Sequence, residues 1–247
     1  MNTINHIHIP RCSGIYIKTH IVNDLKTKNI PYFASNHSEI FPYKFEGKNF
    51  ISGHFGLTPL KYRKDLINIA LVRDPVDRYI SNFIYMNSSF KGAHLEAHLE
   101  KWMDNDKQFN LQAKSLSKNI NEALYNSKDH GVERAIDGWC FEEGPIDINS
   151  VKSFIDSIHL IDTIDNHNSF ISKLNELCFQ VYGFYSFSNK NKINDNFKSF
   201  EISKSVRNKI EDLNWDKKYF TLEIENKVKN KITLFKKIFN ILRDKFF

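Results

Sequence analysis

Residues 66–81 read LINIALVRDPVDRYIS, and this stretch decides the fold class. Residues 66–72 form an almost continuously apolar run, which is typical of a strand covered on both faces in a parallel sheet. Asp74 is a residue type that caps helices, and Pro75 suits a first helical turn. Apolar residues then recur at helical spacing: Val76, Tyr79, Ile80, Phe83 and Ile84. The stretch predicts a strand, a short loop and a helix.

The N-terminal stretch has the same organisation. Residues 4–9 (INHIHI) alternate between apolar and polar side chains and end at Pro10. A compact segment with Ser13 and Gly14 follows, after which apolar residues recur at four-residue spacing: Ile17, Ile21 and Leu25. This is a second predicted strand, loop and helix.

Three more strands are predicted at 32–35, 49–52 and 157–164, and a helix at 169–179. Residues 93–140 are interpreted as helices and loops over the sheet edge. Two helices are expected near the C-terminus, from about Ser203 and from about Trp215. The alternation predicts an α/β, P-loop-like three-layer fold with a central, mainly parallel sheet flanked by helices.

Composition narrows the functional classes. The 247 residues, 41% of them hydrophobic, fit a single domain over 1–247. No apolar run reaches the length of a spanning helix, and the first residues lack a signal-peptide pattern, so a cytoplasmic location is expected. The three cysteines show no paired spacing, so neither disulfides nor a metal site is expected. The net charge of +6 is scattered and favours a small polyanionic ligand over nucleic acid.

The C-terminal segment, about 215–247, is predicted to include an amphipathic helix. Its apolar face comprises Ile232, Phe235, Phe239, Leu242 and Phe246, with lysine and arginine among the polar positions. Docking on the core or on a partner subunit of a homo-oligomer is the favoured interpretation. Contact with an anionic membrane surface is the alternative.

Residues 7–14 (IHIPRCSG) have the organisation of an anion-binding loop. A strand that leads through a compact loop into a helix points free backbone N–H groups at an anion. The loop lacks the GK[ST] triplet of nucleoside triphosphate sites, which disfavours ordinary ATP or GTP binding. A plain strand-to-helix turn is the alternative.

Arg73 and Ser81 form a second candidate anion site, after the apolar strand 66–72. Arginine at a strand end and a hydroxyl on the next helix are suited to a phosphate. Loops at the carboxyl ends of parallel strands lie on one edge of the sheet, where such folds bind ligands. Two anion sites there predict a ligand with two anionic ends.

The stretches IPRCSGIY (9–16) and RDPVDRYIS (73–81) resemble the sulfotransferases that use 3'-phosphoadenosine 5'-phosphosulfate (PAPS), especially the carbohydrate O-sulfotransferase branch. Their first loop reads close to IPKTGGTS and their second close to RDPxxRxxS. The likeness extends to Ser52–Phe55 and Asn110–Gln112. It implies transfer of a sulfuryl group from PAPS to a hydroxyl of a carbohydrate or small-molecule acceptor, without a metal.

The resemblance also implies residue roles. The loop that holds the 5'-phosphosulfate would comprise Arg11, Cys12, Ser13, Gly14, Ile15 and Tyr16. Arg73 and Ser81 would hold the 3'-phosphate. Arg11 stands where the family has lysine and would be catalytic, by neutralising charge on the bridging oxygen. Ile15 and Tyr16 replace the threonine and serine hydroxyls of the family pattern.

His54 is the candidate general base, because it follows a predicted strand end at Ser52–Gly53 and a neutral imidazole accepts an alcohol proton. Glu39 is the second candidate. His8 is expected to pack or bond within the first strand. For Asn110 and Gln112, solvated loop positions are the favoured interpretation, and a place in the acceptor or donor pocket is the alternative.

Two other functions stay open at the level of sequence. A catalytically silent protein of the same fold would bind the nucleotide without transfer, and the residues at 15 and 16 favour it. A P-loop nucleotide kinase would share the strand, loop and helix, but the GK[ST] triplet that it needs is absent.

Overall fold

The chain folds around a parallel five-stranded sheet. The structure is a computed structural model, and it describes residues 2–34, 45–87, 95–104, 109–121, 141–187 and 202–214. The strands are β1 (Thr3–Ile7), β2 (Tyr32–Ala34), β3 (Phe50–Gly53), β4 (Leu66–Val72) and β5 (Leu160–Thr163). Their order is β2-β3-β1-β4-β5, and every neighbouring pair is parallel. The predicted fold class is confirmed.

Helices cover both faces of this sheet. Among the described residues they are α1 (Gly14–Thr27), α2 (Pro59–Tyr62), α3 (Pro75–Met86), α4 (Leu95–Trp102), α5 (Leu111–Ser117), α6 (Ile148–Ser157), α7 (His167–Tyr182) and α8 (Lys204–Leu213). A short 3₁₀ turn, Ile164–Asn166, joins β5 to α7.

The alternation along β4 divides the core into two layers. Ala70 and Val72 pack with α5 and α6, whereas Ile69 and Leu71 pack with α1 and α7. Both faces of the strand are therefore apolar and buried, as the run at 66–72 predicts. The result is a helix layer, the sheet and a second helix layer.

The predicted start of α3 is confirmed in detail. The Asp74 side chain accepts a hydrogen bond from the Asp77 N–H at 2.9 Å, and Pro75 lies in the first turn. Ser203 caps α8 in the same way, with its hydroxyl accepting from the Val206 N–H at 3.4 Å. These caps satisfy N–H groups that have no partner within the helix.

All five predicted strands exist, but two differ from the predicted bounds by more than one residue. β1 ends at Ile7 and not at residue 9, because the chain turns there: the Cys12 N–H donates to the Ile9 carbonyl at 3.3 Å. β5 begins only at Leu160, because helix α6 continues to Ser157. The sequence interpretation missed α6, whose start is capped by Asp147.

Several predictions fall outside the described residues. These are Glu39, the C-terminal segment 215–247 and much of the segment 93–140. Within the described part of the chain, no helix is long and apolar enough to cross a membrane.

Candidate functional site

The predicted site residues lie at the carboxyl ends of three adjacent strands. β1 is central in the sheet, with β3 on one side and β4 on the other, in the registers Ile7↔Gly53 and Ile7↔Ala70. The candidate anion loop, residues 11–16, follows β1. His54 follows β3, and Arg73 follows β4. After β1 the chain goes to one side of the sheet for β2 and β3, then crosses to the other for β4. A reversal of this kind creates the crevice in which α/β folds bind ligands.

The loop after β1 has an unusual backbone. Arg11 (φ 67°) and Ser13 (φ 58°) both adopt the left-handed conformation without being glycine. Such residues cost of order 1–3 kcal/mol each and cluster at ligand sites. Ser13 is the N-cap of α1, yet its side chain makes no capping hydrogen bond. The Ser13 side chain therefore leaves the first N–H groups of the helix available to an external acceptor, as in anion sites.

The Arg11 side chain connects this loop to α3. Its Nε donates a hydrogen bond to Ser81 Oγ at 3.1 Å. Its guanidinium carbon lies 4.7 Å from the centre of the Tyr85 ring, one turn further along the helix. The structure thus brings together residues of both predicted anion sites. It also directs the Arg11 guanidinium toward α3.

Arg73 lies near enough to Arg11 to affect the pKa of the Arg11 guanidinium. Burial lowers the pKa of the Arg11 guanidinium, Tyr85 acts in the opposite direction, and the positive charge of Arg73 lowers the pKa further. Arginine nevertheless keeps its proton in proteins. Two half-buried cations at one edge of the sheet favour an anionic ligand there.

Gln112 is buried and joins both loops, so the expectation of a solvated loop residue is wrong. Its Oε1 accepts from the Arg73 N–H at 2.8 Å, and its Nε2 donates to the Arg73 carbonyl at 2.8 Å. The same Oε1 lies 3.6 Å from the Cys12 thiol, a donor from the first loop. Cys12 is thus directed into the core, and its N–H is already used by the turn.

Helix α8 fixes the beginning of α3 from outside. Arg207 contacts Asp77 at 2.9 Å and Asp74 at 3.9 Å. Asn214, at the end of the same helix, accepts from the Asn110 N–H at 3.2 Å. The segments that precede Ser81 and Gln112 are therefore both anchored to α8.

His54 lies against His8, with ring centroids 4.3 Å apart. The His8 N–H donates to the Gly53 carbonyl at 3.2 Å, which extends the β1–β3 pairing beyond the strands. Gly14 also lies against the His8 ring, because a Cβ atom at this glycine would be only 1.8 Å from Cδ2 of the ring. His8 therefore contacts both the candidate base and the loop after β1, which is more than the local packing expected from sequence.

A second buried histidine extends this group. His6 stacks on His8 at 5.5 Å, and its Nδ1 is 2.9 Å from the Ser52 hydroxyl. Burial lowers the pKa of His6 to about 3, and electrostatic interactions with His54 and Lys18 contribute to the shift. His6 is therefore neutral at physiological pH. Lys18, on the sheet-facing side of α1, also has a pKa lowered by burial.

Ile15 and Tyr16 do not supply the aliphatic hydroxyls that threonine and serine supply in the sulfotransferase pattern. The Ile15 side chain is 62% exposed. Tyr16 packs among aromatic rings of α1, α7 and the segment after α7, at centroid distances of 4.4–6.0 Å: His20, His167 and Phe187. Ile15 therefore offers the loop only its backbone N–H group, and the ring of Tyr16 is held within this aromatic group.

The fold and the geometry define the chain as a parallel α/β protein in which the two predicted anion loops lie together at the carboxyl edge of the sheet. Within the described ranges, no group of histidine, cysteine, aspartate or glutamate is arranged to hold a metal ion. No protein-family model matches the chain, and no curated protein matches it.

Proposed function

We propose that the chain is a sulfotransferase that moves a sulfuryl group from PAPS to a hydroxyl of a carbohydrate or small-molecule acceptor. The observation that carries the proposal is the contact between Arg11 Nε and Ser81 Oγ at 3.1 Å. It brings the two candidate anion loops to one place on the sheet edge. PAPS has a 5'-phosphosulfate and a 3'-phosphate on one nucleoside, which matches two adjacent anion sites.

In the proposed reaction, the acceptor oxygen forms a bond to sulfur while the bond between sulfur and the bridging oxygen breaks. The acceptor proton passes to His54, and adenosine 3',5'-bisphosphate leaves. The N–H groups at the start of α1 stabilise the transferring group, and Arg73 with Ser81 holds the 3'-phosphate. Transfer of this type depends mostly on in-line positioning and charge stabilisation.

His54 is suited to the role of base by its place and its neighbour. It follows β3 directly, is half-buried, and packs on the His8 ring, which restricts its orientation. A fixed imidazole at the sheet edge is what a general base requires.

A catalytically silent, nucleotide-binding protein is the second candidate function. The exposed Ile15 and the packed Tyr16 ring favour it, because neither position has the short aliphatic hydroxyl of the sulfotransferase pattern. Hydrogen bonds to charged groups are worth roughly 1.5–3 kcal/mol each, so their loss slows transfer or weakens donor binding by tenfold or more.

Calorimetry with adenosine 3',5'-bisphosphate, and with ATP for comparison, tests the nucleotide site. We expect binding of the bisphosphate and not of ATP. Arg73→Ala should abolish that binding. A chain that binds ATP and ignores the bisphosphate contradicts the proposal and favours a kinase.

Transfer of labelled sulfate from PAPS to a panel of carbohydrate and small-molecule acceptors separates the enzyme from the silent protein. His54→Ala should retain bisphosphate binding and lose turnover, whereas His98→Ala, at an exposed position on α4, should retain both. Undiminished turnover in His54→Ala would mean that another group is the base.

A further inference from the structure

Arg11 stands in the loop after β1, but its side chain is fixed by α3. The Nε atom donates to Ser81 Oγ at 3.1 Å, and the guanidinium carbon lies 4.7 Å from the Tyr85 ring centre. Ser81 and Tyr85 are one helical turn apart and so share a face of α3. A hydrogen bond and a cation–π contact together fix the position and the plane of the guanidinium.

The contact with Ser81 leaves the phosphate-binding part of the guanidinium available. It uses Nε, while neither terminal nitrogen has a hydrogen-bond partner within the described part of the chain. Two terminal N–H groups in a fixed plane are the donors with which arginine binds a phosphate.

The carboxylates next to this position on α3 are engaged elsewhere. Asp77 and Asp74 contact Arg207 of α8, at 2.9 and 3.9 Å. The cation near Arg11 is instead Arg73, whose charge lowers the pKa of Arg11. Two like charges held close together are stabilised by a dianion between or beside them.

We propose that Arg11 belongs to the 3'-phosphate site, with Arg73 and Ser81, and that it determines the preference of the chain for nucleotides with a 3'-phosphate. This inference rests on the proposed function. Arg11 would then not have the role that its position in the loop implies, which is to neutralise charge on the bridging oxygen beside sulfur. Its hydrogen bond and its cation–π contact are both with the helix that carries Ser81.

The test compares two nucleotides that differ only at the 3' position. Dissociation constants for adenosine 3',5'-bisphosphate and adenosine 5'-monophosphate are measured by calorimetry with the full chain. The variants are Arg11→Ala, Arg11→Lys and the charge-matched control Lys26→Ala. Lys26 is exposed in the last turn of α1, away from the carboxyl edge of the sheet.

Arg11→Ala should weaken binding of the bisphosphate by about tenfold to a hundredfold, the range for a lost charged hydrogen bond. Binding of the monophosphate should change by less than about twofold, because that ligand lacks the group that Arg11 contacts. Arg11→Lys should recover part of the loss, since an ammonium keeps the charge without the planar pair of donors. Lys26→Ala should match the unmodified chain for both ligands.

A double-mutant cycle with Ser81→Ala strengthens the test. If Ser81 orients the guanidinium, the two substitutions together should cost less than the sum of the single losses. Fully additive losses would contradict the role of Ser81 in orienting Arg11.

Two results would overturn the inference itself. Equal weakening of both ligands by Arg11→Ala would assign Arg11 to the 5' loop, and no weakening of either would remove it from the site. Failure of the unmodified chain to bind the bisphosphate is a different result, and it would refute the proposed function as well. Thermal unfolding of each variant identifies losses that come from misfolding.

Discussion

Substitution of Gly14 by alanine tests the packing beneath the anion loop. An alanine Cβ at this position would lie 1.8 Å from His8 Cδ2, 2.2 Å from Nε2 and 2.6 Å from Cγ. Cγ lies on the Cβ–Cγ axis about which the ring turns, so rotation of the ring about that bond does not relieve the contact. The His54 ring also packs on His8, with ring centroids 4.3 Å apart. Either the ring or the first turn of α1 must move.

Two effects of opposite sign determine the magnitude. Overpacking in a buried site costs typically about 1–3 kcal/mol, and the confined ring favours the upper end. Alanine is a better helix former than glycine by up to about 1 kcal/mol. Gly14 has no left-handed φ, so the backbone itself accepts alanine. We therefore expect Gly14→Ala to lower the free energy of unfolding by about 2 kcal/mol.

Urea unfolding of a double-mutant cycle measures the effect. In a His8→Ala background the clash is absent, so Gly14→Ala should be neutral or slightly stabilising. The coupling energy between the two positions should then be about 2–3 kcal/mol. If Gly14→Ala lowers the free energy of unfolding equally in both backgrounds, or does not lower it with His8 present, the His8 ring does not pack against Gly14.

Three further substitutions have defined outcomes. The pKa of His6, about 3, lies below its ordinary value of 6.5, so the unfolded chain takes up the proton first as the pH falls. The free energy of unfolding should therefore fall between pH 6.5 and 3 by up to about 1.4 kcal/mol per pH unit from this group, and urea unfolding of His6→Asn should show a shallower dependence. Gln112→Met leaves the N–H and C=O of Arg73 unsatisfied, so it should cost about 1–3 kcal/mol for each group by urea unfolding, whereas Gln180→Met on the exposed side of α7 should be neutral. Asp74→Ala removes the cap of α3 and should cost about 1 kcal/mol in thermal unfolding, and an equal cost for Asp74→Asn would contradict a capping role.

The sheet could be predicted from the sequence because its strands have local signals. The run at 66–72 is apolar at nearly every position, as a doubly covered strand requires. Asp74 and Pro75 mark the start of α3 within one residue. The sequence does not indicate helix α6 because only two of its residues, Val151 and Ile155, are buried. Two apolar positions do not establish a helical pattern beside the stronger strand pattern that follows.

The site was predictable only in part, because its location follows from topology and its contacts do not. Placement of the loops after β1 and β4 on one edge follows from a parallel sheet. The burial of Gln112 depends on packing against Arg73, 39 residues away in sequence, and nothing in its neighbours indicates it. The position of Tyr85 beside Arg11 likewise requires the relative placement of β1 and α3.

The departures of the first loop from the family pattern have a common physical consequence. Ile15 provides no hydroxyl, the Tyr16 ring packs among other aromatic rings, and Arg11 donates to Ser81, so on the proposed function the loop binds the 5' end mainly through backbone N–H groups. A lysine at position 11 could not make the same contact. It has a single side-chain nitrogen, whereas arginine donates to Ser81 through Nε and keeps two terminal nitrogens for a ligand. On the proposed function, the side-chain contribution to nucleotide binding is therefore greater at the 3'-phosphate than at the transferring group. Binding at the 3'-phosphate is equal in the ground state and the transition state, so it raises affinity without accelerating the transfer itself.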